Sequence, residues 1–233
     1  MDFKDRHVVV TGGTGALGSA VVETLLGAGA HCVLPWMDES ELKRFARRDD
    51  PNVKLIQVPT LSDEAAVAKL YDAAPHLWAS IHLVGGFAMA PVADTDKAAL
   101  LQQLDMNFVT CFLCCSAAVR AMRKRQAGGR IVNVAARPAL EWRAGAGMAA
   151  YAASKAAVAA LTVALAEEVA KDGILVNAVA PSIMDTKMNR DAMPKADHAA
   201  WPKVEEVAAT IAFLASPDNK VTRGAVVPVY GRT

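Results

Sequence analysis

Thr11-Gly12-Gly13-Thr14-Gly15-Ala16-Leu17-Gly18 follows a short apolar run, His7 to Val10, and opens a helical stretch, Ala16 to Ala28. That context decides the fold. Glycine tolerates the positive φ of a tight strand-to-helix turn and lets another group approach the backbone. The N-terminus of the following helix presents unpaired N–H groups and the positive end of its dipole. Such a turn suits a pyrophosphate, although a glycine-rich turn alone is an ordinary feature of tight connections.

Outward from this turn, apolar runs alternate with helical stretches. Strands are expected at His31 to Leu34, Lys54 to Val58, Ser80 to Val84, Arg130 to Val134, Leu175 to Val179 and Ala225 to Val229. Helices are expected at Glu39 to Arg47, from Ser62 to about Ala74, within Asp96 to Arg125, and at Met148 to Lys171. Asp38 and Glu41 have capping-box spacing. Ser62 stands where a cap is needed, Gly128-Gly129 and Gly173 where helices should stop, and Pro202 and Pro217 at the two ends of the last helix. Repeated β-α units with short apolar strands predict a single α/β domain over residues 1–233. Its architecture is a Rossmann-like, doubly wound parallel sheet flanked by helices on both faces. Residues 183–201 lack periodicity and read as a substrate lid. Met184, Met188 and Met193 suit an adaptable apolar cover or simple packing.

Composition narrows the function classes. Net charge is +1 with both signs interspersed, which points to no nucleic-acid partner. Hydrophobic residues make up 53 % of the chain, but no run of about 18 is uninterrupted, so no membrane span is expected. The stretch Met1 to Arg6 is polar and has no secretory h-region. Cys111, Cys114 and Cys115 read as small buried apolar residues on a helix, because no second pair or His cluster adjoins them in sequence. No metal is expected, and the thiols suggest a reducing cytoplasm.

Tyr151-Ala152-Ala153-Ser154-Lys155 places a phenol and an ammonium four residues apart on one helical face. A nearby cation favours the phenolate and should lower the Tyr151 pKa, making it an acid/base at neutral pH. Taken alone, the pair reads first as a surface Tyr and a solvated Lys on an Ala-rich helix. Together the motifs resemble the short-chain dehydrogenase/reductase family over essentially the whole chain. The glycine turn Thr11 to Gly18, the strand end His82-Leu83-Val84-Gly85, the helical Asn107 and the Tyr151–Lys155 pair all match. So do the stretch with Asn177, Pro181, Ser182 and Thr186, and the ending Val229-Tyr230-Gly231-Arg232. The resemblance implies catalysis by Tyr151, Lys155 and Asn107. Lys155 would also hold a nicotinamide ribose, and Asn107 would support a proton-relay water. The cofactor would lie against Thr11, Gly12, Gly13, Thr14, Gly15, Ala16, Leu17 and Gly18, then Trp36, Val84, Gly85, Gly86, Pro181, Ser182, Ile183 and Thr186. It also implies a homotetramer or homodimer packed through the small-residue helical faces, and a small-molecule substrate.

The departures are informative. The family's catalytic Ser is missing: Pro138 stands 13 residues before Tyr151, and aligning the strand puts Ala136 there, with a two-residue insertion near Trp142-Arg143. No Ser or Thr lies between Ala117 and Ala153. Losing such a donor costs roughly 3–4 kcal/mol of transition-state stabilisation where it is needed. The dihydropteridine reductase branch also lacks it, and Gly85-Gly86-Phe87, Gly147-Met148 and the stretch Asp185 to Asp197 followed by Trp201 resemble that branch. Asn107, Val176-Asn177-Ala178 and Ala180-Pro181 look more like ordinary carbonyl reductases. The expected reaction is NAD(P)H-dependent reduction of an activated C=O or C=N group. A non-catalytic dinucleotide-binding protein is the alternative. Trp36 and Met37 occupy the position that sorts the two cofactors, and neither is charged. With no cation nearby, the reading leans to NAD(H) over NADP(H). His82 reads as a backbone-bonded structural residue that could also touch substrate. Trp142 and Arg143 line the substrate pocket or form an exposed loop.

Overall fold

The computed structural model describes residues 1–233. Seven strands form one all-parallel sheet: β1 His7–Thr11, β2 His31–Trp36, β3 Val53–Gln57, β4 Leu77–His82, β5 Gly129–Val134, β6 Ile174–Pro181 and β7 Val226–Val229. Their order is β3-β2-β1-β4-β5-β6-β7. The order reverses between β1 and β4, and in such sheets the crevice at the carboxyl ends of these strands is where ligands bind.

Alternation along the strands divides the core between two faces. Val8 and Val10 pack with α1 (Ala16–Gly27) and α9 (Val204–Ala215). Val9, Val33, Ile131 and Val176 pack with α3 (Glu64–Asp72), α5 (Thr110–Arg125) and α7 (Ala149–Glu168). Each fully buried Val, Leu or Ile contributes about 1.5–3 kcal/mol. The remaining helices are short: α2 Glu39–Arg44, α4 Lys97–Leu104, α6 Arg137–Leu140 and α8 Lys187–Ala192.

Several boundaries differ from the sequence expectation, each for a local reason. The cap of α3 is Asp63, whose carboxylate accepts from Ala66 N at 2.8 Å, while Ser62 bonds Thr60 instead. Asp38 caps α2 through Ser40 N, and Glu41 turns away, so the two form no capping box. Gln126, in the left-handed conformation, ends α5 before the glycines. The basic end of that helix is exposed, with Arg123 paired to Asp172 and Arg125 bonded to Leu77 O. Pro202 precedes the cap of α9 instead of opening the helix, and Glu206 accepts from Lys203 N. β4 stops at His82, because Leu83 N is drawn to Thr11 O and Oγ1.

The segment 183–201 is more regular than its sequence pattern suggests. Thr186 caps α8 through Asn189 N, Arg190 pairs with Asp185, and His198 stacks against Trp201. Met188 is exposed, whereas Met184 packs against the core.

Two helical stretches, Lys97–Arg125 and Ala149–Glu168, are long and apolar enough to cross a membrane by length and composition. Here both pack against the sheet and carry the site residues.

Candidate active site

The long helix before β5 is not regular. Asp105–Val109 forms a π turn between α4 and α5, and Asn107 sits at its centre, 1 % exposed. Single π turns inside α-helices frequently mark functional sites. This one delivers the Asn107 amide to the chain leaving β4. Its Oδ1 accepts from Gly86 N at 2.9 Å, and its Nδ2 donates to Gly86 O at 3.0 Å and to Ser154 Oγ at 3.0 Å. Ser154 Oγ in turn donates to Tyr151 O at 2.7 Å. One amide thus locks the Gly85-Gly86 turn to the first turns of α7, which carries Tyr151 and Lys155.

Lys155 is buried, and its Nζ donates to Val134 O at 2.9 Å. Burial pulls its pKa down to about 8, with Cys111 acting in the opposite direction. Burial also pushes the Tyr151 phenol up to about 12. The expected lowering of the phenol by its lysine is therefore not what the environment produces: desolvation dominates at both groups. The Phe87 ring stands edge-on to Tyr151, with centroids 5.0 Å apart at 81°, and contributes to that dry setting.

The glycine turn lies beside this cluster. Gly12 has φ +69°, and a Cβ there would lie 3.1 Å from Val84 N. A Cβ on Gly18 would strike Gly12 O at 2.0 Å, so the turn and α1 pack without side chains between them. The result is a shallow cradle of backbone at the helix N-terminus, which fits a dinucleotide pyrophosphate. Beyond it, a cavity of about 260 Å³ opens among Met37, Thr60, Leu61, Val84 and Met106, at the carboxyl side of β2 to β4. Met37, Leu61, Val84 and Met106 give that cavity apolar walls, the kind of surface that suits a purine ring. Thr11 and Trp36 are the last residues of β1 and β2, and Val84 lies two residues beyond the end of β4.

Pro181 ends β6, and Ser182, Ile183 and Thr186 follow it at the same edge of the sheet. Ser182 Oγ donates to Tyr230 O, and Thr186 is committed to capping α8. No bond joins them to Tyr151 or Lys155.

Ala136, aligned with the family's catalytic Ser, is buried as the cap of α6. Trp142 is 79 % exposed, which favours the exposed-loop reading over a pocket wall. His82 is bonded through its side chain rather than its backbone role alone. Its ring meets Ser80, Tyr71 and Asn133 at 2.8, 3.1 and 2.8 Å, and it is too buried to touch substrate.

Sequence reasoning missed Glu41. Thr14 Oγ1 in the glycine turn donates to Glu41 Oε2 at 3.0 Å, placing a carboxylate beside the turn. Its spacing from Asp38 suggested a helix cap and concealed this role. It also missed Leu61 and the π turn, which no residue pattern announces.

A family model described as short chain dehydrogenase matches residues 6–197. The chain belongs to this family. The cis-4-hydroxycyclohexanecarboxylate dehydrogenase of Sinomonas cyclohexanicum is 34 % identical, with 98 % of this chain and 96 % of that protein covered. The 2,3-dihydroxy-2,3-dihydro-p-cumate dehydrogenase of Pseudomonas putida is 31 % identical, covering 99 % and 95 %. A solved short chain dehydrogenase/reductase family protein superposes with a TM-score of 0.90 at 28 % identity, covering 99 % and 98 %. ElxO with NADP bound shares the fold, with a TM-score of 0.87 at 23 % identity and 97 % of each chain covered. The chain is accordingly an oxidoreductase of the short-chain dehydrogenase type with a nicotinamide dinucleotide cofactor.

Proposed function

We propose that the chain transfers a hydride between NAD(H) and an activated C=O or C=N carbon of a small cyclic substrate, with Tyr151 as the acid/base. The observation that carries this reading is the constellation of Tyr151, Lys155 and Asn107 around Gly85 and Gly86. A bound nicotinamide supplies or accepts the hydride. The residues of the chain do the rest. Tyr151 holds the proton that the substrate heteroatom needs, and Phe87 packs edge-on against its ring. Lys155, four residues from Tyr151 on the same helix, is placed to bind the cofactor ribose. Asn107 fixes the turn on which the cofactor rests.

Two features support the finer choices. Ala136 offers no hydroxyl to an alkoxide-like oxygen, which favours acceptors whose developing charge is delocalised. A cyclic C=N compound such as a quinonoid dihydropterin is the second reading, and the same residue favours it. The Glu41 carboxylate beside Thr14 favours ribose hydroxyls over a 2′-phosphate, hence NAD(H) over NADP(H). The ring substrates named for two relatives support a cyclic substrate. Residues 183–201 are proposed as the substrate cover. The exposed apolar residues Phe112 and Val163 on α5 and α7 support a homodimer or homotetramer.

The test is oxidation of NADH and of NADPH across a panel of cyclic ketones, imines and quinonoid dihydropterin. Turnover of an activated ring substrate with NADH is expected. Tight nucleotide binding without turnover on any of them would favour a non-catalytic nucleotide-binding protein.

A further inference from the structure

One buried cluster takes no part in this chemistry. Cys111 and Cys115 are one turn apart on α5 and face the sheet. His82 on β4 and Asn133 on β5 are register partners and face the helix from below. His82 Nδ1 and the two Sγ atoms lie within 4.8 Å of one another, and all three residues are buried. Asn133 Oδ1 lies 2.8 Å from His82 Nδ1 and 3.4 Å from each sulfur. Sequence alone separated the cysteines from any histidine. The fold brings one to them.

Without an ion, hydrogen bonds hold the cluster together: Asn133 Oδ1 accepts from His82 Nδ1 and a thiol, and Cys111 and Cys115 bond each other. The sulfur contacts to Asn133 and His82, at 3.4–3.5 Å, are weak ones, and the same side chains make a ligand set.

The geometry points to a structural zinc site formed by His82 Nδ1, Cys111 Sγ, Cys115 Sγ and Asn133 Oδ1. Tetrahedral zinc with ligands at about 2.0–2.3 Å sets neighbouring ligand atoms about 3.3–3.8 Å apart. The distances from each sulfur to Asn133 Oδ1 and from Cys115 to His82 already fall there, and the ring and amide need to part by about half an ångström. Zinc entry releases the two thiol protons, so the ion, two thiolates and two neutral ligands sum to zero charge and suit a dry interior. The surrounding shell is in place. Ser80 Oγ at 2.8 Å and Tyr71 OH at 3.1 Å can take a proton from His82 Nε2, which leaves Nδ1 free to ligate. Asn133 Nδ2 donates to Thr162 Oγ1 at 2.9 Å, which turns Oδ1 toward the centre. The ion would clamp α5 onto β4 and β5, directly behind Asn107.

The full-length protein is refolded with zinc, passed over a weak chelating resin and assayed for zinc per chain. About one ion is expected for wild type, and about a tenth or less for Cys111→Ala/Cys115→Ala and for His82→Asn. Refolding with cobalt(II) should give thiolate-to-cobalt charge-transfer absorption in wild type. That reading needs no variant to fold. Wild type refolded without metal should melt lower than with zinc, with no such difference in the variants. Zinc content equal in wild type and variants, no retained zinc in wild type, or a cobalt complex without the thiolate bands would each overturn the site.

Discussion

Gly85 lies so close to Asn107 that a Cβ built on it would come within 2.6 Å of the amide oxygen, and within 3.0 Å of Lys155 Nζ. The bare glycine is therefore what allows the turn, the π-turn amide and the lysine to occupy one place. Gly85→Ala should push Asn107 and Lys155 out of position while leaving the sheet intact. Displacements of about 1 Å cost on the order of 100-fold in rate. Steady-state turnover should fall by about that factor, with the melting temperature little changed. Near-normal turnover would remove Asn107 and Lys155 from the working site.

The Glu41 carboxylate should discriminate between the two cofactors. Glu41→Gln should raise kcat/KM for NADPH about tenfold, equivalent to about 1.4 kcal/mol, and alter that for NADH much less. Parallel kinetics with the two reduced cofactors checks this. An unchanged ratio, or a wild type that already prefers NADPH, counts against NAD(H).

Lys155 makes stability depend on pH in a stated direction. Its pKa in the folded chain is about 8, against an ordinary value of 10.5. Between these values the unfolded chain binds the extra proton, so stability rises with pH, at up to about 1.4 kcal/mol per unit. Below about 8 both states are charged and the full burial penalty applies. Wild type should gain stability relative to Lys155→Met as pH goes from 8 to 10. Over the same interval NADH affinity should weaken in wild type only, as the charge is lost. Parallel stability curves for the two proteins would contradict the buried, neutralising lysine.

Ala136→Ser should restore the missing donor. The site is the cap of α6, where Ser is also a favourable residue, so folding should not suffer. A gain of about tenfold or more in kcat/KM is expected for unactivated ketones, and little for quinonoid dihydropterin. If wild type already reduces plain ketones well and the substitution brings no selective gain, the missing hydroxyl does not govern substrate choice.

The parts of the molecule legible in the sequence are those written by short-range rules. Alternating apolar runs marked all seven strands, and Thr11 to Gly18 marked the turn where the ligand crevice begins. Tyr151 and Lys155 were legible because four residues on a helix fix their relative position. What escaped depends on long-range contacts. The π turn at Asn107 arises from its bonds to Gly86 and Ser154, which are 21 and 47 residues away. Glu41 meets Thr14 across two elements. The His82 cluster needs β4, β5 and α5 in place. Even the Tyr151 pKa was misjudged for this reason: spacing shows the cation, but burial, which only the fold reveals, outweighs it.

The Tyr151 phenol is proposed to supply the proton in a nicotinamide-dependent reduction. The decisive measurement is single-turnover oxidation of NADH on an activated ring substrate, for wild type and Tyr151→Phe, with bound cofactor titrated in parallel. A rate lower by about 10²–10⁴ is expected in Tyr151→Phe, with NADH affinity within about twofold of wild type. A Tyr151→Phe rate close to that of wild type would contradict it.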